Sequence, residues 1–133
     1  MKIQIKSRYS DKILFEHNCK DNTLTLTVIQ ACRRGADLRC ADLSGAYLRG
    51  ADLRGAKYAD FEINKTPILI SNLKYEIIIF DNHLKLGCEL HTHSQWSKFT
   101  QKKIIEMDGK DALKWWKQWK EPLLQMCKIQ KGK

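Results

Sequence analysis

The sequence has no long apolar stretch: nowhere in its 133 residues do about eighteen consecutive apolar side chains occur. A membrane-spanning helix needs about twenty, so no membrane partner is expected. The opening segment, Met1 to Lys6, carries lysines where a secretory signal would have its apolar stretch. These absences predict a soluble, cytoplasmic protein.

Closely spaced cysteine pairs are absent too. The five cysteines are an odd number and lie far apart, at Cys19, Cys32, Cys40, Cys88 and Cys127. Such spacing favours free thiols in a reducing compartment over a disulfide framework.

Catalytic and metal-binding motifs are equally scarce. Cys88, His91 and His93 could offer ligands to zinc, but a fourth ligand is missing nearby. A hydrogen-bonded structural role for His91 is the favoured alternative. Nucleophilic catalysis would need a base beside the thiol and an oxyanion site, and no pattern specifies either. We therefore predict no metal, no cofactor and no enzymatic activity.

What the sequence does contain is a five-residue repeat from Ala36 to Lys65. Four units begin with alanine and carry leucine at the third place, and two looser units follow. A period of five fits neither the strand period of two nor the helical period of about 3.6. The repeat instead indicates a solenoid whose interior is filled by Leu38, Leu43, Leu48 and Leu53.

These units resemble the pentapeptide-repeat family. The resemblance implies a short right-handed, four-sided β-helix in which four units complete a coil of about twenty residues. Residues twenty apart would then stack, so that Leu38 meets Tyr58 and Leu43 meets Ile63. Continued further, the predicted inner column is Leu38, Leu43, Leu48, Leu53, Tyr58, Ile63, Ile68 and Leu73. About two coils would cover residues 36–75, with Pro67 making the second less regular.

The flanks predict caps for this coil within a single domain of mainly β structure with flanking helices. Residues 1–35 read as a hairpin followed by a helix that Asp21 or Asn22 caps and Gly35 ends. Residues 76–133 read as a second hairpin, a helix capped by Ser94, another broken at Asp108-Gly109, and a tryptophan-rich last helix. Trp116 and Trp119 are expected to pack on the end of the coil.

Net charge is +9, and it is unevenly distributed: +4 over residues 1–35, 0 over 36–65 and +5 over 66–133. Members of the family that act on DNA gyrase imitate DNA with a long acidic coil, so this basic chain is not expected to do so. Its size and flanks look similar to compact pentapeptide-repeat proteins of bacteriophages. That resemblance implies a non-enzymatic inhibitor that occupies a host protein or nucleoprotein complex, for example a CRISPR-type or other defence nuclease.

A basic nucleic-acid-binding accessory protein is the alternative, and a homo-oligomer is left open. Candidate partner-binding residues lie in two groups. Arg39, Arg49, Arg54 and Lys57 would project from the coil, where arginine pairs well with directed acceptors. Lys114, Trp115, Lys117 and Lys120 would lie on the last helix, and we expect changing them to weaken binding less than changing Arg49 and Arg54.

Overall fold

A computed structural model describes residues 1–8, 10–38, 41–43, 57–58 and 61–132 of the chain. Its strands are β1 (Lys2–Lys6), β2 (Ile13–Asn18), β3 (Lys57–Tyr58), β4 (Phe61–Glu62), β5 (Ile68–Ile70), β6 (Ile77–Ile79), β7 (His83–Leu86) and β8 (Glu89–Thr92). Its helices are α1 (Leu24–Arg33), α2 (His93–Lys98) and α3 (Gln101–Gly132). The mixture of strands and helices agrees with the predicted fold class.

The opening hairpin is present as predicted, with β1 antiparallel to β2. Its register changes between Ile5 and Lys6, where a bulge bends the strand. Just beyond, Ser7 forms an isolated bridge with Ala41. The hairpin is thereby joined to the first repeat units.

Helix α1 begins at Leu24, and its cap lies one residue after Asn22, the nearer of the two predicted caps. Thr23 caps it, accepting a hydrogen bond from the Leu26 amide at 3.1 Å. Asn22 is buried instead, and its side-chain amide donates to the carbonyl of His17 at 2.8 Å. Gly35 follows the helix at a φ of +73°, a conformation that favours glycine, so the predicted stop is confirmed.

The described part of the repeat lies in a first core together with α1 and the hairpin. Leu38, Leu43, Tyr58 and Ile63 are all buried there. The Tyr58 hydroxyl donates to the Leu38 carbonyl at 2.9 Å, which joins two residues twenty apart in sequence. Leu48 and Leu53 lie outside the described residues.

The predicted second coil is not what the structure shows after residue 57. Strands β3 and β4 pair antiparallel, whereas successive coils of a β-helix run parallel. Residues Ile68–Ile70 also pair antiparallel, with β6, in a four-stranded sheet of order β5-β6-β7-β8. Ile68 and Leu73 are therefore only partly buried and pack on a second core, not on the repeat.

This sheet separates two cores because its side chains alternate between its faces. From β6, Ile78 enters the first core, whereas Ile77 and Ile79 enter the second. Leu84 and Leu86 of β7 also join the second core. The sheet thus carries the repeat segment on one face and the carboxy-terminal helices on the other.

The helices start and bend where local chemistry requires. Thr92, not Ser94, caps α2, in a reciprocal box with Gln95. Asp108 and Gly109 interrupt α3 with non-helical angles, as predicted, and Gly109 has a φ of +85°. Pro122 lies within the helical stretch that follows.

Helix α3 packs on the sheet rather than on the end of the coil. Trp116 is buried in the second core, with Trp119 packed against it. The expected contact of these rings with the coil is therefore wrong: the intervening sheet already covers that core. The far end of α3 is held by Lys65, whose ammonium donates to the carbonyls of Gln130 and Lys131.

Candidate functional site

A small pocket opens where α3 bends. The bend at Asp108-Gly109 redirects the helix, so the two parts of α3 border the space between them and the sheet. The cavity measures about 40 Å³, which accommodates about three water-sized groups. Its position depends on the sheet, α2 and both parts of α3 together.

The pocket walls are almost entirely apolar and rich in aromatic rings. Trp96 of α2 and Trp116 of α3 contact each other with ring centres 5.2 Å apart. The Trp96 indole is fixed because its N–H donates to the Leu84 carbonyl at 2.7 Å. Ile104 and Met107 complete this wall. The site can therefore enclose an aliphatic or aromatic group.

Two carboxylates stand among these apolar walls. Asp108 accepts a hydrogen bond from the Tyr75 hydroxyl at 2.7 Å. Glu89, on the last strand of the sheet, lies 2.9 Å from Nε2 of His91. Two carboxylates therefore line an otherwise apolar pocket in a strongly basic chain.

A surface of lysines and two half-buried indoles continues from the pocket along α3. Trp115 lines the pocket and stacks on Trp119, with ring centres 6.0 Å apart and planes 28° apart. Lys114 and Lys117 are exposed, and Lys120 is half-buried. We call these five residues the helix surface. The structure therefore brings the predicted helix candidates together beside a pocket.

The predicted partner-binding residues on the repeat do not lie beside the pocket in the part of the chain that the structure describes. Arg39, Arg49 and Arg54 lie outside the described residues, so their role stays a prediction. Lys57 is exposed and pairs with Glu62 in the register of β3 and β4. It lies on the opposite side of the sheet from the pocket.

The side chains of the Cys-His motif, Cys88, His91 and His93, make structural contacts within the chain. Cys88 is disulfide-bonded, so the expectation of five free thiols is wrong. His91 contacts Glu89, and His93 is 2.9 Å from the His83 carbonyl. Burial lowers the pKa of His93, with partial compensation from that carbonyl. Among the described residues no cluster of three metal-ligating side chains occurs.

A buried charge cluster lies on the other face of the sheet. Glu76 accepts from Arg8 at 2.8 Å and from the Leu43 amide at 3.1 Å, through the same oxygen. Its second oxygen has no hydrogen-bond partner and lies 3.7 Å from Nζ of Lys85, an ion-pair distance too long for a hydrogen bond. Lys85 and Glu76 are each 1% exposed.

Burial lowers the pKa of Lys85 to about 8, although the Glu76 charge opposes that shift. Such an amine has the acidity of a catalytic lysine, but no substrate can reach a side chain enclosed this completely. The buried thiols of Cys32 and Cys127 have pKa values raised to about 11, which makes them poor nucleophiles. These groups are better explained as structural than as catalytic.

Comparison with known families decides the origin of the repeat. Residues 34–57 match the family model described as pentapeptide repeats (8 copies). This segment of the chain therefore consists of pentapeptide repeats. No curated protein and no solved structure matches it significantly.

The pocket lies outside the matched segment, and sequence reasoning missed it. The signals were present separately: the Asp108-Gly109 break and the tryptophans of α3. What was missing was the sheet face on which those tryptophans pack, because β5 and β8 were not predicted.

Within the described ranges, no helix is long and apolar enough to span a bilayer.

Proposed function

We propose that this chain is a non-enzymatic binding protein that docks on a partner protein through the pocket and the helix surface. The observation that carries the proposal is the apolar pocket beside the stacked Trp115 and Trp119. Tryptophan is enriched among residues that dominate binding energy, and exposed lysines suit the rim of an interface. The repeat serves as a right-handed β-helical scaffold, consistent with the Leu38–Tyr58 bond.

A protein partner is favoured over a nucleic acid by the charge of the pocket. Glu89 and Asp108 would repel phosphate, while the apolar walls suit an inserted side chain. The partner we propose is a host protein complex such as a defence nuclease, which the chain would inhibit in the cytoplasm by covering its surface. The support for that target is the family resemblance and the small size of the chain.

A nucleic-acid-binding role is the second candidate, and the lysines of α3 favour it. Lys110, Lys114 and Lys117 are exposed and recur at helical spacings of four and three, so they share one face. A row of ammonium groups can track a phosphate backbone. Trp115 and Trp119 would then supply stacking surfaces for bases.

The two candidates differ in salt dependence and stoichiometry. The full-length chain is used to capture a partner from host lysate after nuclease treatment, and the complex is rebuilt from purified components. We expect a one-to-one protein complex that survives moderate salt and is weakened by changing Lys114 and Lys117 to glutamate. Binding to many nucleic-acid sequences alike, lost steeply as salt rises, would instead support the second candidate.

A further inference from the structure

The pocket at the bend of α3 combines three properties that together define a ligand class. It is small, its walls are apolar and aromatic, and two carboxylates are among its lining residues. A purely apolar ligand would satisfy only the first two. A ligand with an aliphatic stem and a cationic end satisfies all three.

The size of the cavity limits the stem. About 40 Å³ gives room for about three water-sized groups in contact with the rings. A chain of methylene groups fits such a space and gains free energy from leaving water. A planar guanidinium is wider than a methylene chain and has to find hydrogen-bond acceptors for five N–H groups.

The charge of the pocket selects the end group. Asp108 and Glu89 are contacted by a tyrosine hydroxyl and an imidazole, and among the described residues no lysine or arginine pairs with either. An arriving ammonium would therefore find two carboxylates without a lysine or arginine partner. Aromatic faces add a further attraction for a cation.

We infer that the pocket binds a lysine side chain of the partner protein, with its methylenes against Trp115 and Trp116 and its ammonium near Asp108 and Glu89. This inference rests on the proposed function, since it names the group by which the partner is held. The inserted lysine is one positive group in a partner surface that is acidic where it faces Lys114 and Lys117, so the two contacts are each complementary in charge.

The test uses n-butylammonium chloride as a probe of the side-chain chemistry and n-butanol as its neutral counterpart. Each is titrated into the full-length, nitrogen-15-labelled chain while the indole N–H signals of Trp115 and Trp116 are followed by NMR, with sodium chloride matched. We expect both signals to shift and n-butylammonium to bind about threefold to tenfold more tightly than n-butanol.

Two variants test whether Asp108 causes the tighter binding of n-butylammonium. Asp108→Asn removes the charge but keeps an acceptor for Tyr75, so it should abolish the advantage of n-butylammonium. Asp111→Asn is the matched control, because Asp111 is exposed on the same helix and does not line the pocket. It should leave the advantage unchanged. If Asp108→Asn does not fold, the affinities of the two probes for the unmodified chain still show whether the pocket prefers a cationic end group.

Equal or tighter binding of n-butanol would overturn the inference and assign the pocket to an apolar side chain. An advantage that Asp108→Asn leaves intact would overturn it as well. A dimer that n-butylammonium dissociates in sedimentation experiments would show that the lysine comes from a second copy, which contradicts a foreign partner. If the probes fail while Lys114→Glu still weakens a purified complex, the proposed function stands and only the pocket assignment falls.

Discussion

The core beside the repeat combines apolar packing with buried polar anchors, whereas the core under the carboxy-terminal helices depends mainly on packed aromatic rings. On the first side, Glu76 binds the Leu43 amide and Arg8, and the Tyr58 hydroxyl binds the Leu38 carbonyl. On the second side, rings centred on Trp96 and Trp116 fill the space between sheet and helix. The four-stranded sheet contributes one face to each of the two cores.

The difference has a physical consequence for function. Directed hydrogen bonds and a buried ion pair fix the position of a backbone segment, which suits a scaffold. Large rings pack with few directed bonds, and where α3 bends they leave a cavity. The first core is therefore expected to govern stability and the second to provide the binding site.

The largest effect is expected from Glu76→Gln. This change removes the carboxylate charge and leaves Lys85 buried without its counter-charge, so we expect a loss of about 3–5 kcal/mol in the free energy of unfolding. Guanidinium denaturation of the variant and the unmodified chain measures it. Glu62→Gln, at an exposed position, is the control and should change stability by less than about 0.5 kcal/mol. Equal effects of the two changes would show that the cluster contributes no stability.

The next comparison asks whether the two cores unfold together. Leu43→Ala in the first core and Leu123→Ala in the second each remove a side chain that is 1% exposed. We expect each to cost about 2–5 kcal/mol, because surrounding atoms only partly fill the void. Both variants should keep a single transition by circular dichroism and tryptophan fluorescence, since the sheet belongs to both cores. Two separated transitions after Leu43→Ala would mean that the repeat segment unfolds on its own.

Much of the local structure could be predicted because it follows from local chemistry. The alternation around Ile3 and Ile5 predicted the opening hairpin, and Gly35 and Asp108-Gly109 marked where helices end or bend. The caps were misplaced by one or two residues, because serine, threonine, asparagine and aspartate all suit that position.

The arrangement around the sheet could not be predicted in the same way. Ile68 matched the column of the coil at a spacing of twenty from Leu48, and that match concealed the strand Ile68–Ile70. Lys85 alternates with Leu84 and Leu86 in its strand, a pattern that ordinarily places the charged side chain on a solvent-facing side. Its burial depends on Glu76 and Arg8, which are distant in sequence. The pocket, likewise, exists only after α2, α3 and the sheet have packed.

A smaller effect concerns the pH dependence of the first core. The pKa of Lys85 is about 8 in the folded chain and 10.5 as its ordinary value. Above pH 8 the folded state releases the proton first, so the unfolded state binds more protons and the free energy of unfolding rises with pH until about 10.5. We expect a gain of about 1 kcal/mol between pH 8 and pH 9 that is absent in Lys85→Met.

The thiols act in the opposite direction and set the range of that experiment. Cys32 and Cys127 have pKa values raised from 9.0 to about 11, so the unfolded chain loses these protons first and stability already begins to fall as the pH approaches 9. Denaturation curves are therefore compared below pH 9, as the difference between the unmodified chain and Lys85→Met. A difference that does not change from pH 8 to pH 9 would contradict the lowered pKa of Lys85.

The smallest effect on stability, and the most informative for function, is expected from charge reversal on the two candidate surfaces. Lys114→Glu with Lys117→Glu changes only exposed groups, so the melting temperature should stay nearly the same. The sequence alone favoured Arg49→Glu with Arg54→Glu as the more damaging pair. With Trp115, Trp119 and the pocket adjoining the lysines, we now expect the lysine pair to weaken partner binding more, by about tenfold or greater. Calorimetric titration of a purified partner measures both pairs. If the arginine pair abolishes binding while the lysine pair has no effect, the repeat is the working face and α3 is the scaffold.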